Sequence, residues 1–118
     1  MSDETFAEFR ERREHGNKKI LAIDNKVIKR FISLDSACYR DGALPGKTKE
    51  LLGLVASMVL RCNDCIDYHL EQCTESGFSE AELEEAMSVA LVVGGSIVIP
   101  HMRHARLSMD ALAEERDS

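Results

Sequence analysis

An all-α bundle is the fold class the sequence predicts, and three observations point to it. Alanine, leucine, glutamate and methionine are abundant, while the 118 residues hold two prolines, seven glycines and 5% aromatics, a set of good helix formers with few breakers. Apolar residues recur three and four positions apart in successive segments, the spacing of one helix face. Capping and turn residues separate those segments. At this length the chain is expected to be a single domain over residues 1–118.

Each element follows from its own residues. Phe6 and Phe9 stand among many charges and predict a short, peripheral helix over about residues 4–18, outside a core of about residues 25–115. Val27, Ile28, Phe31, Ile32 and Leu34 predict a second helix from about Asn25 to Arg40, with Asp24 as its N-cap. Asp41-Gly42 ends it, and Leu44-Pro45-Gly46 turns into a third helix. There Leu51, Leu54, Val55, Met58 and Val59 form an apolar stripe, with Glu50 offset towards Leu54, Ser57 and Arg61. A stop near Arg61 places Cys62 at the start of a fourth helix reaching about Ser76, closed by Gly77. Ser79 and Glu82 form a capping box for a fifth helix, and a last helix is expected from His101 to about Glu114.

From Ala86 to Pro100 no residue is charged. A helix apolar on every side must be covered on every side, and a bundle this small cannot do that alone, so the sequence predicts an oligomer. Gly94-Gly95 marks either a close approach or a break. The run is too short to span a bilayer comfortably. The acidic start shows no secretory h-region, and the net charge of −6 argues against nucleic-acid or anionic-membrane partners. A cytoplasmic protein is expected, and in that compartment a CxxC is catalytic or metal-binding rather than a structural staple.

The stretch that carries chemistry is Cys62-Asn63-Asp64-Cys65-Ile66-Asp67-Tyr68-His69. On a helix, Cys62, Cys65 and His69 fall within roughly 60° of arc. His69 lies one turn beyond Cys65, where an imidazole can take the thiol proton. A position in the first turn favours thiolate. The polar residues between the cysteines, Asn63 and Asp64, and Asp67 beyond them point to an exposed redox pair. Zinc is the rival: Cys62, Cys65 and His69 supply three of four ligands, with Cys38, Cys73, His101 or His104 as the fourth, but no second paired motif completes the site. Ile66 after Cys65 excludes c-type haem attachment. Cys73 would stand about 12 Å along the axis from Cys65, too far for a disulfide within one helix. Cys62 and Cys65 are therefore expected to bridge, with Cys38 and Cys73 as packing residues and His101 and His104 as interface or surface residues.

Glu50, twelve residues before Cys62, then Cys62-x-x-Cys65-x3-His69, resembles the signature of the AhpD-like alkylhydroperoxidases within the carboxymuconolactone decarboxylase family. The resemblance runs from about Leu44 to Ala105, including Leu44-Pro45-Gly46 and Gly94-Gly95-Ser96 through Arg103-His104-Ala105. It implies an all-α bundle assembled as trimers or hexamers. It also implies a thiol-dependent peroxidase without cofactor or metal, in which Cys65 reduces a hydroperoxide, Cys62 resolves the product, and Glu50 and His69 relay protons. The implied partners are a hydroperoxide and a lipoyl- or thioredoxin-like dithiol protein that exchanges through an exposed Cys62. One position departs from the pattern: Asp64 stands where the peroxidase branch often has a histidine. A carboxylate there opposes thiolate formation and removes a relay member. The alternatives are a thiol-disulfide reductase or redox sensor without peroxidase turnover, and a CxxC/His metal-binding module.

Overall fold

The computed structural model describes residues 4–117, and among them every regular element is helical, as the sequence predicts. Internal contacts divide the chain into two compact units, one up to Arg40 and the other from Asp41. The first holds α1 (Phe6–Leu21) and α2 (Lys26–Cys38). α1 begins at a capping box in which Thr5 accepts from the Glu8 amide and Glu8 accepts from the Thr5 amide. It runs beyond the expected stop near residue 18. Phe6 and Phe9 are buried edge to face, with Arg10 and Arg12 over their rings. The cap of α2 is Asn25, not Asp24: its side chain accepts from the amides of Val27 and Ile28. α2 buries none of its residues, and Val27, Phe31 and Leu34 are exposed on it.

The second unit holds α3 (Gly46–Val59), α4 (Asn63–Glu75), α5 (Glu80–Gly94), a 3-10 turn at Ser96–Val98 and α6 (Ile99–Asp117). Asp41 accepts the Gly46 amide at 2.6 Å and so starts α3. α3 packs against α4 and α5, α4 packs against α6 on its other side, and α5 touches α6. Leu54, Met58, Ile66, Leu70, Cys73 and Val98 are fully buried between them. Of the expected α3 stripe, Leu54 and Met58 reach the core, while Leu51, Val55 and Val59 are half-buried; Ser57 takes an inner place instead. α5 starts at the capping box of Ser79 and Glu82.

The uncharged stretch is not one helix. Gly94 and Gly95 end α5, Gly95 takes φ 82°, and a β-carbon at Gly94 would stand 2.5 Å from Val98, so the glycine pair provides both the break and the close approach. Nor does this chain cover the stretch on all sides: Val92 is 85% exposed, and Val89, Val93 and Ile97 are exposed beside it. No helix among the described residues is long and apolar enough to cross a membrane.

How α3 hands over to α4 decides where the cysteines lie. Arg61 donates its amide to Met58 O, Cys62 donates to Ser57 O, and Arg61 sits at φ 62°. That pairing is a Schellman motif with arginine in the left-handed position that glycine usually fills. α4 ends in the same motif, with Gly77 at φ 96° and the amides of Gly77 and Phe78 on Thr74 O and Cys73 O. A non-glycine residue in this region costs about 1–2 kcal/mol. Glycine relieves that but loses more freedom on folding, by about 0.5–1 kcal/mol. Arg61→Gly is therefore expected to raise stability by about 0.5–1 kcal/mol with unchanged helix content, read from urea midpoints and circular dichroism. A lower midpoint would show that the arginine side chain anchors the turn.

Candidate functional site

Cys62 closes α3 and is also the N-cap of α4, with φ −107° and ψ 99°. Its sulfur accepts the Cys65 amide at 3.3 Å, the place a serine oxygen holds in an ordinary cap. Cys62 and Cys65 are joined by a disulfide, their Cα atoms 5.3 Å apart. Cys38 and Cys73 remain thiols. Amide donors and the helix dipole at this end favour negative charge on sulfur once the bridge opens. Of the pair, Cys65 is exposed and Cys62 half-buried, the reverse of the expectation that Cys62 is the accessible member.

One turn beyond Cys65, His69 is buried and bonds through Nδ1 to Glu50 Oε2 at 2.7 Å. Both side chains are close to fully covered, at 10% and 12% exposure. With Nδ1–H donating to the carboxylate, Nε2 is the acceptor nitrogen of the ring. The structure thus brings Glu50 on α3 to His69 on α4 at hydrogen-bond distance. It sets His69 one turn from the bridge that Cys62 and Cys65 form.

Cys73 stands a further turn along α4 and is wholly buried. Burial, with Glu50 nearby, pushes its thiol up to about 12. Cys38 lies exposed on α2 rather than packed. Among the described residues no group of three or more His, Cys, Asp or Glu side chains is gathered to hold a metal ion. A cavity of about 270 Å³ lies by the far end of α4, lined by Thr74, Phe78, Leu83 and Leu112 among others, and contains none of the residues above.

Three residues that the sequence placed at the surface or an interface, Asp67, His101 and His104, belong to the site's support. Asp67 is buried, not exposed. Its carboxylate accepts from His104 Nε2 at 2.9 and 3.0 Å and from Ser108 Oγ at 2.6 Å, both on α6. One turn earlier on each helix, His101 Nδ1 pairs with Asn63 at 2.8 Å. Two histidines three apart on α6 therefore hold two residues four apart on α4, on either side of Cys65. The bond to Asp67, opposed by partial burial and aided by the charges of Asp67 and Asp64, raises the His104 pKa. Asp67 is thus a carboxylate bonded to His104 and Ser108 and not a bare one beside the dithiol. Only the i, i+3 spacing of the histidines on a helix was legible in the sequence; their partners lie 37 and 38 residues away.

The sign of the resulting pH dependence follows from the raised pKa. Protonated His104 stabilises the fold fully below the pKa of an unfolded histidine, about 6.5, and that contribution fades as pH rises through the higher folded value. Its side chain is 33% exposed, so His104→Asn should cost about 1–2 kcal/mol near pH 6 and less near pH 9. Urea midpoints of both proteins across that range check this. A gap that widened with pH would contradict it.

Comparison with known proteins identifies the family and the fold. The family model for the carboxymuconolactone decarboxylase family matches residues 25–106. The chain is 53% identical to a Thermotoga maritima protein of that family whose crystal structure carries a suggested role in antioxidative response; 92% of each chain is covered, at a TM-score of 0.88. A Legionella pneumophila family member in its apo form is 25% identical, with 89% of this chain and 94% of that one covered, at a TM-score of 0.80. Uncharacterized protein 4 in the cox locus of Paracoccus denitrificans is 27% identical over 82 residues, 70% of this chain and 74% of its own length. With the model matching most of the chain and two solved folds superposing closely on it, the protein belongs to the carboxymuconolactone decarboxylase family, and its paired cysteines place it with the AhpD-like members.

Proposed function

We propose that the protein is a thiol-dependent peroxidase that reduces hydroperoxides through Cys62 and Cys65. The observation that carries this reading is a disulfide at a helix N-terminus with a buried Glu50–His69 pair one turn away. In the reduced protein, His69 Nε2 takes the Cys65 proton and Glu50 stabilises the resulting imidazolium. The Cys65 thiolate attacks one peroxide oxygen, the O–O bond breaks, and the departing alkoxide leaves as alcohol after taking a proton from His69. Cys65 is then a sulfenic acid. The Cys62 thiol attacks that sulfur, the S–S bond forms as the S–O bond breaks, and the thiol proton passes to the departing hydroxide, which leaves as water. A dithiol protein of the lipoyl or thioredoxin type returns two electrons by exchange. Exposure favours its attack on Cys65, with Cys62 leaving as the thiolate that its capping position stabilises. The setting would be the cytoplasm, where such reductants keep the pair reduced.

A second reading has its own observation. Asp64 stands exposed in the first turn of α4, between the two cysteines. Its charge opposes thiolate formation and favours a disulfide reductase or redox sensor with weak peroxide turnover.

Rates of Cys65 modification and peroxide reduction against pH separate these readings. His69→Asn should slow both by roughly 10²-fold, the usual size of a lost acid–base group, and Glu50→Gln by less. Asp64→His should raise peroxide turnover. An unmoved profile in His69→Asn would remove the relay and return His69 to a packing role. Negligible turnover in both wild type and Asp64→His would favour the reductase or sensor.

We also infer that copies of the chain associate as a trimer or hexamer, with Val89, Val92, Val93 and Ile97 between them. Val92→Asp should abolish association, since a buried unpaired charge is strongly unfavourable. A stable, folded wild-type monomer in sedimentation at micromolar concentration would overturn the assembly.

A further inference from the structure

Gly53 sits in the middle of α3, one turn after Glu50 and on the same face. Glycine weakens a helix interior relative to alanine, and no positive φ requires it here. What it provides is space. A β-carbon at Gly53 would stand 2.6 Å from His69 Cε1, 2.8 Å from Nε2 and 2.9 Å from Nδ1. All three distances are shorter than a carbon can approach a ring atom without displacing it. The ring cannot swing aside freely, because its Nδ1 is bonded to Glu50 at 2.7 Å.

We propose that Gly53 is a positioning residue for His69, its bare α-carbon and Glu50 together forming the slot on α3 that orients the imidazole. Glu50 fixes which nitrogen faces the carboxylate. Gly53 fixes how closely the ring lies against α3, and so where Nε2 stands relative to the dithiol. Any side chain at position 53 pushes the ring outward and strains or breaks the bond to Glu50. The functional part of this inference rests on the reading of His69 as the base that serves Cys65. The packing part rests on the distances alone.

The test uses the wild type, Gly53→Ala, His69→Ala and the double variant. It reads the pH dependence of Cys65 alkylation in the reduced protein, the Cε1–H resonance of His69 and the Tm. Gly53→Ala should slow alkylation by about 10- to 100-fold with a changed pH profile, as displacing a base by about an ångström does. It should also shift the His69 resonance. In the His69→Ala background the same change should leave the rate within about two-fold, because no ring remains to displace.

The Tm should change sign between backgrounds: Gly53→Ala lowers it in the wild type and raises it beside His69→Ala, where alanine is simply the better helix former. A wild-type profile and an unmoved His69 resonance in Gly53→Ala would overturn the proposal. If Gly53→Ala does not fold, a well-folded double variant supports the slot and an unfolded one overturns it. If His69→Ala itself keeps the wild-type profile, the relay reading fails. The slot is then judged by the His69 resonance and the sign of the Tm change, and an unmoved resonance overturns it.

Discussion

The contact on which the rest of the second unit depends is the hydrogen bond between Glu50 and His69. It joins α3 to α4 with both partners nearly out of water, where an unmade bond costs more than a made one gains. That asymmetry makes it a constraint on register. α3 must present Glu50 and Gly53 together on the α4 side, and α4 must begin where His69 arrives opposite them. The turn between the helices meets the second demand through the paired amides of Arg61 and Cys62 on Met58 O and Ser57 O. A left-handed arginine at that point is a local cost that the surrounding packing holds in place.

α4 is held from its other side as well. His101 and His104 on α6 take Asn63 and Asp67, so the turn that carries Cys65 is bracketed by two cross-helix bonds while Glu50 holds the next turn. Rigid support matters for a disulfide, since the bridge tolerates little change in Cα separation. Charge balance follows the same layout. Asp67 is bonded to His104 and Ser108, and Asp64 stands exposed between the cysteines. Opposing it are the amide ends of the helix and the sulfur's capping bond.

What the sequence made legible was local. Helical spacing identified the helices, Ser79 and Glu82 marked one start, and the cysteine spacing identified the bridge; all are patterns within four residues. Glu50 and His69 are nineteen apart, and their pairing came from a family resemblance, not from spacing. Asp67 was misread because a carboxylate beside two cysteines looks solvated until the helix that covers it is in place. Gly53 carried no signal, since a mid-helix glycine reads as a flaw unless the ring across from it is known. The N-cap of α2 fell one residue later than expected because Asp24 and Asn25 are both good caps, and only the backbone turn decides between them. The apolar run after Ala86 was legible as a surface that this chain leaves uncovered, since lack of charge says that a surface avoids water and not which molecule covers it.

Three residues on one stripe of α4, Cys65, His69 and Cys73, show how position alone divides chemical roles. Cys65 lies in the first turn, exposed, where unpaired amides and the dipole favour an anion. Cys73 lies two turns later, fully buried, with the Glu50 carboxylate near enough to repel a second negative charge. With its thiol pushed up to about 12, chiefly by burial, Cys73 stays protonated at neutral pH. Burial is the larger cause, and the Glu50 carboxylate adds to it while also bonding the His69 imidazole. Removing Glu50 would take away the bond to His69 and the smaller part of the restraint on Cys73, whose burial would remain.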